Sequence, residues 1–173
     1  KTNYKNKKSF SGNFYSKKNK SFLKYSPTTL EKALELISVA KKPIVYIGGG
    51  LINSGDKATK ELKSFSELTN FPVTSTLMGL GAFPASNKLF LGMLGMHGTY
   101  ESNMAMHDCD LMINIGARFD DRITGRLDGF SPKSKKIHID IDPSSINKNV
   151  EVNLSLVGDA AKILGLLNKR IKY

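Results

Sequence analysis

Four short strand-like runs each end in a glycine-rich or acidic loop, and this repetition constrains the chain more than any other feature. Ile44–Ile47 leads into Gly48-Gly49-Gly50, and Val73–Ser75 into Thr76-Leu-Met-Gly-Leu-Gly81. Leu111–Ile115 leads into Gly116-Ala-Arg-Phe-Asp-Asp-Arg-Ile-Thr-Gly125, and Ile137–Ile141 into Asp142-Pro143. Glycine is favoured where backbone must take positive φ or approach something closely. In an open parallel α/β sheet the ligand crevice lies beyond the carboxyl ends of the strands. Several such loops at one edge therefore predict a long binding crevice.

Between the runs the spacing is helical. Thr28 and Glu31 have the spacing of a capping box, Leu30, Ala33, Leu34 and Ile37 follow at helical intervals, and Lys41-Lys42-Pro43 ends the segment. Ala58, Leu62, Phe65 and Leu68 mark a second helix, closed by Asn70-Phe71-Pro72. Met78 to Gly98 reads mostly as loop, with Leu89–Leu91 as a short strand. Tyr100 to His107 reads as a helix with Thr99 as N-cap and Met104 and Ala105 inward. A last strand, Val152–Val157, precedes Gly158-Asp159 and a helix with Ala160, Ile163, Leu164 and Leu167 on one side. The alternation predicts an α/β domain, a doubly wound, Rossmann-like parallel sheet of about six strands.

The 173 residues fit one domain over 26–173, preceded by a basic linker or tail, 1–25, that is partly disordered. The formal charge of +11 is unevenly spread, because residues 1–25 hold eight lysines and no acid. The remainder carries +3, from 18 basic and 15 acidic side chains. A nucleic-acid partner is therefore not expected from charge. The aromatics Phe10, Phe14, Tyr15, Phe22 and Tyr25 predict that part of the basic segment lies along a protein surface. Cys109 is alone and sits among apolar residues, which suits a core position and a reducing compartment. No apolar run approaches the roughly 20 residues of a membrane span. The start has neither an initiator methionine nor an apolar leader, so a piece of a longer chain is expected.

The loops carry the chemistry. Gly48-Gly49-Gly50 sits where a phosphate would meet amides at a helix start, or forms a plain tight turn. The dinucleotide fingerprint is incomplete, however, because Asn53 stands where glycine or alanine is needed. Gly92-Met-Leu-Gly95-Met-His97-Gly98 makes poor core and a good ligand wall, in which His97 is either a ligand contact or a structural histidine. Arg118 or Arg122 could hold a phosphate or carboxylate bidentately, although Arg118-Phe-Asp-Asp-Arg122 could also be a surface salt-bridge cluster. Asp140 could accept a hydrogen bond from ribose or adenine. Asp159 could do the same or cap a helix. His107 and His138 have no second ligand at metal spacing, so no metal site is expected.

Read together, Lys41-Lys-Pro-Ile-Val-Tyr-Ile-Gly-Gly-Gly50, Ser75-Thr-Leu-Met-Gly-Leu-Gly-Ala-Phe-Pro84, Leu91-Gly-Met-Leu-Gly-Met-His-Gly-Thr99, Gly116 to Gly125 and His138-Ile-Asp-Ile-Asp142 resemble acetohydroxyacid synthase, also called acetolactate synthase. The resemblance is to the middle domain of its catalytic subunit, over about residues 28–160. It implies a thiamine-diphosphate enzyme that condenses pyruvate with a second 2-ketoacid for branched-chain amino acid synthesis. It also implies FAD lying extended across this domain without net redox turnover.

Carried over by motif, the FAD contacts would be Gly49, Thr76, Leu77, Leu94, Gly95, Met96, His97, Gly116, Ala117, Arg118, Phe119, Asp120, Asp140, Ile141, Asp159 and Ala160. Met96, Asp121 and Arg122 would line the substrate channel, where sulfonylurea-type herbicides also bind. Thiamine diphosphate and Mg2+ belong to the full-length enzyme, and the resemblance places no catalytic residue and no metal ligand in this chain. The chain alone is expected to be inactive. Implied partners are the remaining domains of the same subunit, a homo-oligomer and a regulatory subunit, in the cytoplasm of a bacterium or in a plastid or mitochondrion. Two other readings stay open: a structural or nucleotide-effector-binding middle domain of another thiamine-diphosphate enzyme, and an independent NAD-dependent enzyme.

Overall fold

The structure, a computed structural model, describes residues 25–171. The basic segment lies outside the described residues except for Tyr25, whose side chain packs against the larger core. Six strands, β1 (Pro43–Ile47), β2 (Val73–Ser75), β3 (Phe90–Met93), β4 (Leu111–Ile115), β5 (Lys135–Asp140) and β6 (Leu154–Val157), form one sheet. Every neighbouring pair is parallel, and the order is β3-β2-β1-β4-β5-β6. This is the doubly wound order, in which the direction of winding reverses between β1 and β4. The α/β fold expected from the strand-loop repetition is the one observed.

Side chains alternate along each strand and feed two cores. On one face Val45, Ile47, Val73, Ile113, Ile115, Ile137, Ile139 and Leu156 meet three helices. These are α1 (Pro27–Val39), α3 (Asp56–Thr69) and α6 (Ala160–Ile171), which contribute Leu30 and Ala33, Leu62 and Phe65, and Ile163, Leu164 and Leu167. On the other face Ile44, Tyr46 and Met112 meet Met106 of α4 (Tyr100–Asp108), Cys109, Phe119 and Phe130. Burial pushes the Cys109 thiol up, which keeps it in its uncharged form within that core. The second face also carries a polar row, because Thr74, Tyr46, Asn114, His138 and Ser155 stand in register across five strands.

Several boundaries differ from expectation for local reasons. The first helix begins a residue before Thr28: Ser26 is the N-cap, its hydroxyl accepting from Thr29 N, and Pro27 takes the first helical position that suits its fixed φ. Glu31 pairs with Arg170 instead of closing a capping box. β3 covers Phe90–Met93 rather than Leu89–Leu91, with a register irregularity against β2 and Gly92 at φ +92°. In α4, Thr99 is the N-cap as expected, but Ser102 and Met106 face the core and Met104 is exposed. The Ser102 hydroxyl donates to Met93 O at 2.6 Å, which sets that phase. β5 starts at Lys135 and ends before Ile141, which is exposed, and β6 begins at Leu154 rather than Val152. Two one-turn helices, α2 (Gly49–Asn53) and α5 (Asp121–Thr124), lie in loops that showed no apolar period.

Ile113 is fully buried in β4, between β1 and β5. Ile113→Ala should lower stability by roughly 2–5 kcal/mol, read as a reduced urea midpoint at unchanged slope.

Candidate functional site

The carboxyl ends of β1 to β5 open onto a crevice of about 980 Å³. That is the upper end of the range for small-molecule pockets. The topological reversal between β1 and β4 places it where the loops diverge to opposite faces of the sheet.

Its floor is a contact between two backbones. Gly48 N donates to Ile115 O and Gly50 N donates to Gly116 O, at 3.0 and 2.9 Å. A Cβ on Gly48 would stand 2.4 Å from Gly116 O, and one on Gly50 would stand 2.7 Å from Gly116 Cα. Gly116 itself is at φ +64°. Two of the three consecutive glycines are thus required by close packing, and two of their amides are already engaged within the protein. A Cβ on Gly49 would meet Met78 Cβ at 3.3 Å, so that position is the least crowded of the three.

The loop after β4 supplies the charge. Asn114 holds it with both side-chain amide atoms, Nδ2 donating to Ala117 O at 2.7 Å and Oδ1 accepting from Ala117 N at 3.1 Å. Phe119 adopts φ +53° and turns into the second core, where its ring meets Tyr46, Phe130 and His138. Arg118 and Asp120, on either side of it, line the crevice. Asp120 and Asp121 both accept from Arg122 N, at 3.5 and 2.9 Å, and start α5. The carboxyl of Asp120 lies below the usual carboxylate range, held there by its hydrogen bond with Asp121, the Arg122 N–H and the nearby Arg118 and Arg122 charges. Neither Arg118 nor Arg122 forms a salt bridge among the described residues, so the loop is not a self-paired surface cluster.

At the β5 end Asp140 is nearly buried, and its Oδ1 accepts from Asp142 N at 2.9 Å. Asp142 is held below the usual carboxylate range by the N–H and hydroxyl of Ser144. The β2 and β3 side is apolar: Leu77, Met78, Met93, Leu94 and Met96 line the crevice, and Leu77, Met78 and Met96 are about 70% exposed (68, 72 and 74%). Below the glycines lies Tyr46, whose hydroxyl is buried without a hydrogen-bond partner among the described residues. Burial, reinforced by the charge of Asp120, pushes this phenol far above its ordinary range.

Of the residues predicted from sequence, Gly49, Thr76, Leu77, Leu94, Met96, His97, Gly116, Ala117, Arg118, Asp120, Asp121, Arg122, Asp140 and Ile141 converge on this crevice. Gly95, Phe119, Asp159 and Ala160 do not line it. Gly95 allows close approach, since a Cβ there would meet Arg122 O at 2.7 Å. Asp159 caps α6, accepting from Lys162 N and from the Ser54 hydroxyl. Sequence reasoning missed Tyr46, Asn53, Met78, Ile123, Asp142 and Ser145 as lining residues, while Met93 lies in the segment read as a ligand wall. Tyr46 carried a signal, being the one polar side chain in an otherwise apolar strand.

Fold and crevice together define a doubly wound α/β domain with a ligand-sized cleft at its switch point. The family described as thiamine pyrophosphate enzyme, central domain, matches residues 30–167. The chain is 52% identical over 155 residues to the acetolactate synthase large subunit of Haemophilus influenzae, covering 84% of this chain and 27% of that protein. It is 49% identical over 146 residues to the isozyme 3 large subunit of Escherichia coli K12, covering 81% and 25%. With the chloroplastic acetolactate synthase of Arabidopsis thaliana it shares 49% over 140 residues, covering 81% and 20%. The chain belongs to the thiamine pyrophosphate enzyme family as a central domain of the acetolactate synthase large-subunit type. It spans about a quarter of the length of these relatives.

Gly50→Ala should push the Gly116 loop aside and cost roughly 1–3 kcal/mol. Gly129→Ala, where a Cβ would meet nothing within 4 Å, should stay within about 0.5 kcal/mol. Chemical denaturation of the two variants checks the contrast.

Proposed function

We propose that the crevice holds FAD in an extended form and that the chain serves as the cofactor-binding central domain of an acetolactate synthase. The carrying observation is the order of chemistry along the edge of the sheet. An exposed apolar wall lies at β3 and β2, a glycine floor at β1, arginines without a salt bridge among the described residues after β4 and a carboxylate at β5. At about 4.8 Å between strands, this sequence of surfaces extends over roughly 19 Å. A flavin ring, a diphosphate and a ribose hydroxyl would meet those surfaces in turn. Leu77, Leu94, Met96 and His97 would contact the ring end, Gly49 and Arg118 the diphosphate, and Asp140 the ribose. Exposed apolar surface beside charged groups is the composition expected of a site that is covered when in use.

FAD would supply no net redox step here, its contribution being to shape the domain. Thiamine diphosphate and Mg2+ would be bound elsewhere in the longer enzyme, so this chain alone would not condense ketoacids. Among the described residues there is no cluster of three side chains able to hold a metal ion, and no helix is long and apolar enough to cross a membrane. Met96, Asp121 and Arg122 would border the channel to the second ketoacid. The partners would be the remaining domains, a second catalytic subunit and a regulatory subunit.

Titration of the chain with FAD, followed by flavin fluorescence, tests the reading. Arg118→Ala should weaken binding ten- to hundredfold, the roughly 1.5–3 kcal/mol of a charge-assisted hydrogen bond. Unchanged affinity would assign Arg118 to the fold instead.

Arg122 separates substrate from cofactor within the same loop. A guanidinium presents a planar fork to a carboxylate, whereas lysine offers a point charge. In the longer enzyme Arg122→Lys should retain FAD but lose kcat/KM for the second ketoacid. Flavin loss with normal kinetics after flavin reconstitution would exchange the two assignments.

A further inference from the structure

We infer that His138, which does not line the crevice, is a positioning residue that fixes the backbone from which Arg118 meets its ligand; the inference rests on the FAD reading of that crevice. The Arg118 side chain is exposed and forms no salt bridge among the described residues, so its direction follows from the backbone of Ala117 to Phe119. Three side chains hold that backbone. Asn114 pairs with both the N–H and the carbonyl of Ala117. Asn149 Nδ2 donates to the carbonyls of Arg118 and Phe119, at 3.1 Å each. His138 Nε2 stands 3.0 Å from the carbonyl of Ala117.

A carbonyl can only accept, so Nε2 carries a proton, and a neutral ring then leaves Nδ1 bare. Nδ1 is buried without a partner among the described residues. That is a costly arrangement. A position that served packing alone would favour an apolar ring, because Phe119 meets His138 edge-on at 5.3 Å and asks for nothing polar. The cost is offset by the bond to Ala117. Asp140 Oδ2 lies 3.7 Å from the same Nε2, beyond hydrogen-bond length but close enough that one ring separates the Arg118 loop from the β5 carboxylate.

The bare nitrogen makes the inference testable atom by atom. Glutamine can place an amide nitrogen where histidine has Nε2, whereas asparagine reaches only as far as Nδ1. In FAD titrations of the chain, His138→Gln should stay within about threefold of the parent, while His138→Asn and His138→Phe should weaken binding about tenfold. Amide hydrogen exchange at Ala117 without ligand should follow the same order, slow in the parent and His138→Gln and fast in the other two. A packing role would instead make His138→Phe the mildest variant, and that order overturns the proposal. Should His138→Phe fail to fold, the contrast between Gln and Asn decides. If the parent binds no FAD, the FAD reading fails by itself. Exchange at Ala117 then separates the two questions, the predicted order supporting the role of His138 and equal rates overturning it.

Discussion

The structure depends on how closely the β1 and β4 loops approach each other at the point where the winding reverses. Gly48, Gly50 and Gly116 touch backbone to backbone, and a Cβ on any of them would lie within 2.7 Å of main-chain atoms of the opposite loop. Real Cβ atoms do not come that close. The approach joins the two halves of the sheet at their carboxyl ends and forms the crevice floor without side chains. A floor made of backbone leaves the walls to carry specificity, with the apolar wall on one half and the charged wall on the other.

Phe119 links that floor to the second core. A non-glycine residue at φ +53° costs on the order of 1–3 kcal/mol, and it persists where the surroundings over-determine it. Here the ring is 2% exposed and packs against Tyr46, Phe130 and His138. Fully burying such a side chain contributes about 1.5–3 kcal/mol, enough to offset the strain. The left-handed turn sends Phe119 into the core while its neighbours Arg118 and Asp120 reach the crevice. Packing of one aromatic ring thereby sets the direction of two charged groups.

The central strands were legible because burial on both faces leaves near-continuous apolar runs, as in Ile44–Ile47 and Leu111–Ile115. Most of the crevice was legible too, since its lining residues fall directly after those runs. Edge elements were harder. β3 is only partly buried and contains Gly92 at positive φ, so Phe90–Met93 has no clean period. The phase of α4 was hidden because its inward polar residue, Ser102, is fixed by a tertiary hydrogen bond to Met93 O. Phe119 stands among arginines and aspartates in sequence, and only its burial against Tyr46, Phe130 and His138 shows that it is core. Tyr46 posed the opposite problem, since a buried tyrosine in a strand reads as packing until its hydroxyl is seen to lack a partner among the described residues.

The crevice carries four carboxylates, Asp120, Asp121, Asp140 and Asp142, against two arginines, yet among the described residues the arginines are the groups without a salt bridge. The reason is local. Asp120 and Asp121 accept from Arg122 N, Asp140 from Asp142 N, and Asp142 from the N–H and hydroxyl of Ser144. Each carboxylate is thus turned toward backbone N–H groups at a strand end or a helix start, where such acceptors are favoured. Exposed ion pairs contribute little to stability, so leaving Arg118 and Arg122 unpaired costs the fold little. An anion entering the crevice would then meet guanidinium groups with no ion pair among the described residues to break first. The same carboxylates limit how much negative charge the site can accept, which favours a ligand whose charge is confined to the segment beside Arg118 and whose other parts are neutral.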